Sequence, residues 1–303
     1  MRDLFKLVKW LLKILFRIVR GLLGPKFGFE EKPKPLKFNG KVVTDKDLQV
    51  LNKVFAKDQS SAYYKTYTFS HADVPTFEAL DEHYAKDKNR AYYCDEYREG
   101  QNYYLTKKQR IVTIHDADTA TFVSLDNGYA KDQHKAYFKS IAFEVKQVSS
   151  LVSINTNFAK DDISAYLNQL PVAGSDGKTF ELLEAYFARD AANVYYYGYH
   201  RDEGAEVRIL PCHRESFQIL DYRYSKDDTR VFFLSAVIVG ADPGSFEILT
   251  EEYSRDKNRV YYEDRKVTDA DPQTFRVYPH DFGDADSEDT IQKFHSGKKV
   301  KSR

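Results

Sequence analysis

YSRDKNRVYY, residues 253–262, decides the fold of this chain, because the same ten-residue pattern occurs six more times before it. The pattern is an aromatic, a small residue, Lys or Arg, Asp, three variable positions, Ala or Val, and two aromatics. It stands as FAKDQSSAYY from Phe55, YAKDKNRAYY from Tyr84 and YAKDQHKAYF from Tyr129. It continues as FAKDDISAYL from Phe158, FARDAANVYY from Phe187 and YSKDDTRVFF from Tyr224. Successive starts lie 29, 45, 29, 29, 37 and 29 residues apart, so the unit is 29 residues long with two insertions. A fixed period of this length is the mark of a repeat architecture.

Inside the unit, a second apolar position precedes each first aromatic by seven residues: Leu48, Phe77, Phe122, Leu151, Phe180, Phe217 and Phe246, with an eighth, Phe275, after the last copy. Asp-Pro at Asp242-Pro243 and Asp271-Pro272 is a turn starter, since Asp accepts from backbone N–H groups ahead of it and Pro presets φ. In Asp256-Lys257-Asn258-Arg259 the Asp suits the first position of a hairpin tip. Flanking aromatics such as Tyr253, Tyr261 and Tyr262 then supply cross-strand pairs. Each unit therefore reads as a meander of two or three short strands with an Asx or one-turn helical corner. The spacing of Phe246, Leu249 and Tyr253 also suits a short helix, but Gly, Pro and β-branched residues favour strands. A unit of this size cannot bury its aromatic face alone, so neighbours must stack. The expected class is mainly β, an open solenoid of tandem meanders; the alternative is a closed propeller, whose blades run to about 40–45 residues.

Composition narrows the functional classes. The 303 residues carry 46 basic and 46 acidic side chains, so no net field draws the chain to nucleic acid. Tyr and Phe, 23 and 21 residues, outnumber one Trp and one Met, which again favours strands. Cys94 and Cys212 lie too far apart for a local zinc or CxxC site and read as free, buried thiols.

Residues 1–23, MRDLFKLVKWLLKILFRIVRGLL, have helical periodicity: Arg2, Lys6, Lys9, Lys13, Arg17 and Arg20 fall within an arc of about 80°. Trp10 sits at the edge of that arc, where an indole suits a membrane interface. Lys9, Lys13 and Arg17 are central, and each would cost about 2.5–3.5 kcal/mol in a spanning helix. An amphipathic helix lying in the interface plane fits better, with Lys6, Lys9, Trp10, Lys13, Arg17 and Arg20 as membrane contacts; a single span and a helix packed on protein are the alternatives. Apolar runs of only three residues and no A-x-A site argue against a signal peptide. Residues 24–39 read as a linker, 40–280 as the repeat domain, and 281–303 as a polar, disordered tail ending in the basic KKVKSR.

The strings DKNRAYY from Asp87 and DKNRVYY from Asp256 resemble the bacterial DKNYY family, named for that motif, over about residues 40 to 280. FAKDDISAYL departs from the name, lacking the Asn and the second aromatic. The resemblance implies a bacterial source and carries no established activity or catalytic residue with it.

Motifs that carry chemistry are few. The repeated aspartates Asp58, Asp87, Asp132, Asp161, Asp190, Asp227 and Asp256 lack the alternating ligands and the closing Glu of a calcium loop, and read as turn caps. Each Lys/Arg-Asp pair could also join a surface charge ladder along the stack. The eight His residues form no metal-type pair, and no nucleophile elbow or phosphate loop occurs. No cofactor and no catalytic residue is therefore assigned.

The unique segments are the insertions. One, about Cys94 to His115, carries Tyr97, Arg98, Tyr103, Tyr104 and Arg110; the other, about Gly198 to His213, carries Tyr199, Arg201 and Arg208. Tyr and Arg are enriched at binding hot spots. The expected function is a non-catalytic binding or scaffold protein, tethered at the bacterial inner membrane and binding a protein or glycan through these insertions. An immunity or inhibitor protein against a delivered toxin, and a hydrolase with carboxylates from neighbouring repeats, are the alternatives.

Overall fold

The computed structural model describes residues 37–38, 41–42, 47–100, 107–184, 186–200, 204–282 and 285–300. The expected N-terminal helix and its membrane contacts lie outside them. The chain forms two compact units, Met1–Thr68 and Phe69–Arg303. In the first, Lys37–Phe38 pairs with Lys41–Val42 at the end of the expected linker. A four-stranded sheet of Gln49–Val50, Phe55–Lys57, Ala62–Tyr64 and Tyr67–Thr68 follows. The second holds seven more four-stranded antiparallel sheets, each a meander in chain order.

Every unit is thus one sheet, and the sheet built from Glu247–Ile248, Tyr253–Arg255, Val260–Tyr262 and Arg265–Lys266 is representative. Three kinds of turn make it. Between the first and second strands an Asx or Ser/Thr side chain caps the turn, as when Asp221 accepts from the Arg223 and Tyr224 amides at 2.7 and 2.6 Å. Between the second and third lies the repeated Asp, whose own amide donates to the carbonyl three residues on, at 2.9 Å for Asp256 and Arg259. Between the third and fourth, one residue takes left-handed φ, as at Asn168 (56°), Leu234 (53°) and Glu263 (54°). Single-turn 3-10 helices at Val74–Thr76, Val148–Ser150 and Arg214–Ser216 precede the apolar box in three units. The expectation of two or three strands gives way to four, because the outer strands are only two residues long in most units and too short to display a period.

The core of the second unit lies between sheets. In every sheet of this unit but the last, the inner strand pair sends its first aromatic outward onto the apolar box and third strand of the next sheet. Tyr224 packs on Phe246 at 5.7 Å between ring centroids, and Phe246 on Tyr261 at 6.5 Å. Tyr84, Phe122 and Tyr137 repeat the arrangement at 5.8 and 5.5 Å. Each buried cluster joins one sheet to its successor, for example Tyr224, Val231 and Phe233 with Tyr261. Among the described residues no cluster joins the sheet of residues 78–114 to that of 276–299, so within this unit the stack is open, as a solenoid and unlike a propeller. The short-helix alternative for Phe246 to Tyr253 is not realised.

The tail corrects one expectation. Residues 281–303 read as disordered, yet Ala285–Glu288, Lys293–His295 and Lys298–Lys299 complete an eighth sheet with Arg276–Phe282. Phe294 and Ser287 are fully buried there. The copy escaped notice because DSEDTIQKFH keeps the Asp, as Asp289, and loses every flanking aromatic except Phe294.

Both insertions prove to be the same element. Where other units turn after three residues, the third strand runs on, as Ala91–Tyr97 paired with Lys108–Ile114 and as Val194–His200 paired with Gly204–Ile209. The residues standing at the left-handed turn position are Cys94 and Tyr197, and neither takes positive φ.

Candidate functional site

The repeated Asp keeps its identity in all eight copies, and its geometry decides whether it is available for chemistry. In Asp161 one carboxylate oxygen accepts from the Ile163 and Ser164 amides, both at 2.7 Å. The other accepts from the Tyr166 hydroxyl at 2.6 Å and from the Gln147 amide, fourteen residues back, at 2.8 Å. The set recurs at Asp132, with His134, Lys135, Tyr137 and Asp118, and at Asp256, with Asn258, Arg259, Tyr261 and Asp242. Asp87 and Asp190 follow suit. Asp227 and Asp289 lack the tyrosine hydroxyl, because Phe232 and Phe294 stand in place of Tyr, and at Asp227 the Thr229 hydroxyl donates at 3.0 Å as well.

These carboxylates are 1–3% exposed at Asp87, Asp132, Asp161, Asp190, Asp227 and Asp256. Burial pushes the carboxyls of Asp132, Asp161, Asp190, Asp227 and Asp256 up, but the hydrogen bonds outweigh it and hold them below the ordinary 3.8. Burial and the adjacent carboxylate push the Tyr166 hydroxyl up. A buried, ionised carboxylate with four donors is a turn hub. Its oxygens are engaged by these donors, which is the geometry of a turn cap.

The residues around the hub are equally committed. A Ser or Thr hydroxyl in the preceding corner accepts from the amide just after the Asp: Thr121 from Gln133 at 3.0 Å, Ser150 from Asp162 at 3.0 Å and Thr179 from Ala191 at 2.9 Å. The Lys before the Asp reaches into the next unit. Lys131 Nζ donates to the Ser149 and Leu151 carbonyls at 2.7 and 3.0 Å, and burial pulls its pKa down. Lys86 does the same at Thr119 and Phe122, both at 3.0 Å. At these positions the Lys forms an inter-repeat staple onto backbone carbonyls in place of the expected ladder along the stack, with Lys86 Nζ also 3.4 Å from Glu78 of its own sheet. Tyr84 and Tyr129 add hydroxyl bonds of 2.7 Å to the Gly128 and Asn157 carbonyls of the following sheet.

Among the described residues, one group brings three potential metal ligands within 4.8 Å of one another, His213, Asp227 and Asp228. Asp227 already accepts from the His213, Thr229 and Arg230 amides, and His213 Nδ1 lies 2.6 Å from Asp228 Oδ1. Local turn bonds account for the cluster. Cys94 is buried and Cys212 half-buried, both free; burial pushes their thiols up, that of Cys212 to about 11.

The two long hairpins carry the described candidate contacts. Arg110 donates to Asp95 through two nitrogens, at 2.9 and 2.5 Å, and its guanidinium lies 5.3 Å from the centre of the Tyr97 ring. Arg208 pairs with Glu206 at 2.7 Å, and Arg98 is exposed. Tyr199 lies on the second hairpin, opposite Ala205. Tyr103, Tyr104 and Arg201 fall outside the described residues. The structure thus brings Tyr97 and Arg110 together and leaves the two hairpins as separate elements of different sheets. Sequence reading missed the hub's long arm, although its signal was present: Asp73, Asp118, Gln147, Asp176, His213 and Asp242 each precede a repeated Asp by fourteen residues.

Searches of curated proteins and of solved structures return no match. A family model does match, in three segments covering residues 19–96, 97–236 and 224–302, wider than the motif-based span of 40 to 280. With the hub, the staple and the box repeated through nearly all of that length, the chain belongs to the DKNYY family.

Proposed function

We propose that this chain is a non-catalytic binding or scaffold protein of the bacterial envelope, whose repeat stack carries two long hairpins toward a protein or glycan partner. The observation that carries the reading is the contrast between its invariant and variable parts. The invariant carboxylates are buried turn hubs, whereas both insertions lengthen one and the same hairpin. An ordinary third-to-fourth turn needs two residues, so selection for packing alone does not call for a seven-residue strand pair such as 91–97 with 108–114. Tyr and Arg on these hairpins suit recognition.

The basic segment of residues 1–23 would hold the stack at a membrane face, by burying its apolar side among lipid headgroups. Two measurements test the reading. Affinity capture from the native host with the full chain, and with residues 98–107 replaced by a tight turn, should differ by at least one partner. Identical captures would count against the hairpin as the contact surface. Separately, deleting residues 1–23 should move the protein from the membrane to the soluble fraction, and unchanged sedimentation with membranes would remove the tether.

A further inference from the structure

The two middle strands of the eighth sheet differ from those of the others on one face only. Strand register makes the comparison direct: Ser254 faces Tyr261 and Arg255 faces Val260 in the seventh copy, as Ser287 faces Phe294 and Glu288 faces Lys293 in the eighth. Tyr253, Arg255, Val260 and Tyr262 therefore correspond to Asp286, Glu288, Lys293 and His295. In the seventh copy these four side chains look toward the following sheet: Tyr253 packs on Phe275 at 5.4 Å and Arg255 donates to the Pro272 carbonyl at 3.0 Å. Every earlier copy keeps the same chemistry at the four positions, for example Tyr224, Lys226, Val231 and Phe233, or Phe158, Lys160, Ala165 and Leu167. The inward-facing residues of the eighth copy remain of core type, with Phe294 and Ser287 fully buried.

We infer that the outer face of the eighth sheet is a polar cap, which stops stacking there and keeps the end of one stack from pairing with that of a second copy of this chain. The aromatic that would cover a further sheet is replaced by Asp286, which is tied back into its own stack. It accepts from the Tyr253 hydroxyl at 2.7 Å and the Ser296 amide at 2.6 Å. The Lys or Arg that would staple a further sheet is replaced by Glu288, which Arg276 and Tyr278 engage from within the same sheet. Lys293 and His295 are exposed where Val260 and Tyr262 are buried or half-buried. Stacking against this face would bury the exposed Lys293 and His295 and finish desolvating Asp286 and Glu288, in place of forming an aromatic core, and such burial is unfavourable without dedicated partners. Terminal repeats with a polar outer face serve this purpose in stacked arrays generally.

The test restores the inner-type face in the full chain. The quadruple variant Asp286→Tyr, Glu288→Arg, Lys293→Val, His295→Tyr should at least double in mass by light scattering, at concentrations where the native chain keeps its own mass. Because Asp286 is bonded into the fold, the milder pair Lys293→Val, His295→Tyr is measured beside it and should self-associate more weakly, with a native circular dichroism spectrum. A natively folded pair variant whose mass matches the unaltered chain at every concentration would overturn the cap. So would disulfide cross-linking between two copies of an otherwise unaltered chain carrying His295→Cys, where the unaltered chain gives none.

Discussion

A carboxylate that is ionised, buried and bonded to four donors is costly to remove, and that sets the effect of substitution at the repeated Asp. Asp161→Ala would strand the Gln147, Ile163 and Ser164 amides and the Tyr166 hydroxyl. Urea unfolding should register a loss on the order of 3 kcal/mol, since each buried donor left unmade costs about 1–3 kcal/mol and some regain water. Asp227 offers the reverse experiment. Phe232 is fully buried at the place where other units put the hydroxyl on their Asp. Phe232→Tyr adds the phenolic donor that other units have, beside the Thr229 hydroxyl already on Asp227, and should stabilise by about 1 kcal/mol in the same assay; a loss would mean that the pocket lacks room for the oxygen. Gly177 is a steric matter, because a Cβ there would lie 2.2 Å from the Asp161 carbonyl and 2.6 Å from the Ser164 amide nitrogen. Gly177→Ala should lower stability by about 1–3 kcal/mol as the two turns are forced apart.

At the scale of the element, the long hairpins are additions to a unit that is complete without them. The first hairpin's buried residues, Ala91, Tyr92, Tyr93, Cys94 and Ile114, all sit at its base, while the strands beyond are half-buried or exposed. Joining Asp95 to Arg110 through a two-residue turn should therefore shift the thermal midpoint little, equivalent to less than about 1 kcal/mol. A large drop would assign the hairpin to the core.

The 29-residue period, the buried box and the Asp turn were all legible, because each places a distinctive side chain at a fixed interval. The outer strands were not, since two residues such as Glu247 and Ile248 have no periodicity to read. The eighth copy was hidden because its cap chemistry replaces the aromatics by which a copy is recognised. That both insertions occupy one hairpin had only a faint signal, Cys94 and Tyr197 standing where Lys139, Asn168 or Glu263 turn the chain. The described candidate contacts were legible as residue types, but not the pairing of Arg110 with Asp95, which needs the strand register.

For the second unit as a whole, two consequences follow from stacking sheets that touch only their neighbours. The first concerns acid. The carboxyls of Asp132, Asp161, Asp190, Asp227 and Asp256 are held below 3.8 in the folded chain. Their contribution is present in full above that unfolded value and is lost as pH falls through the depressed folded values. With so many equivalent groups titrating together, circular dichroism against pH should show a steep loss of structure below about pH 4 and a flat profile from there to neutrality. The second concerns locality, because a stack with nearest-neighbour contacts transmits damage mainly to adjoining units. Residue-resolved hydrogen exchange on the Asp161→Ala variant joins both ideas and tests the hub most directly. The Gln147, Ile163 and Ser164 amides should lose protection first, followed by the adjoining sheets, while the Asp242 amide on Asp256 keeps its native rate. Undiminished protection at Gln147, or an equal loss at Asp242, would contradict the account of the repeated Asp as the hub that holds each unit to its own corner.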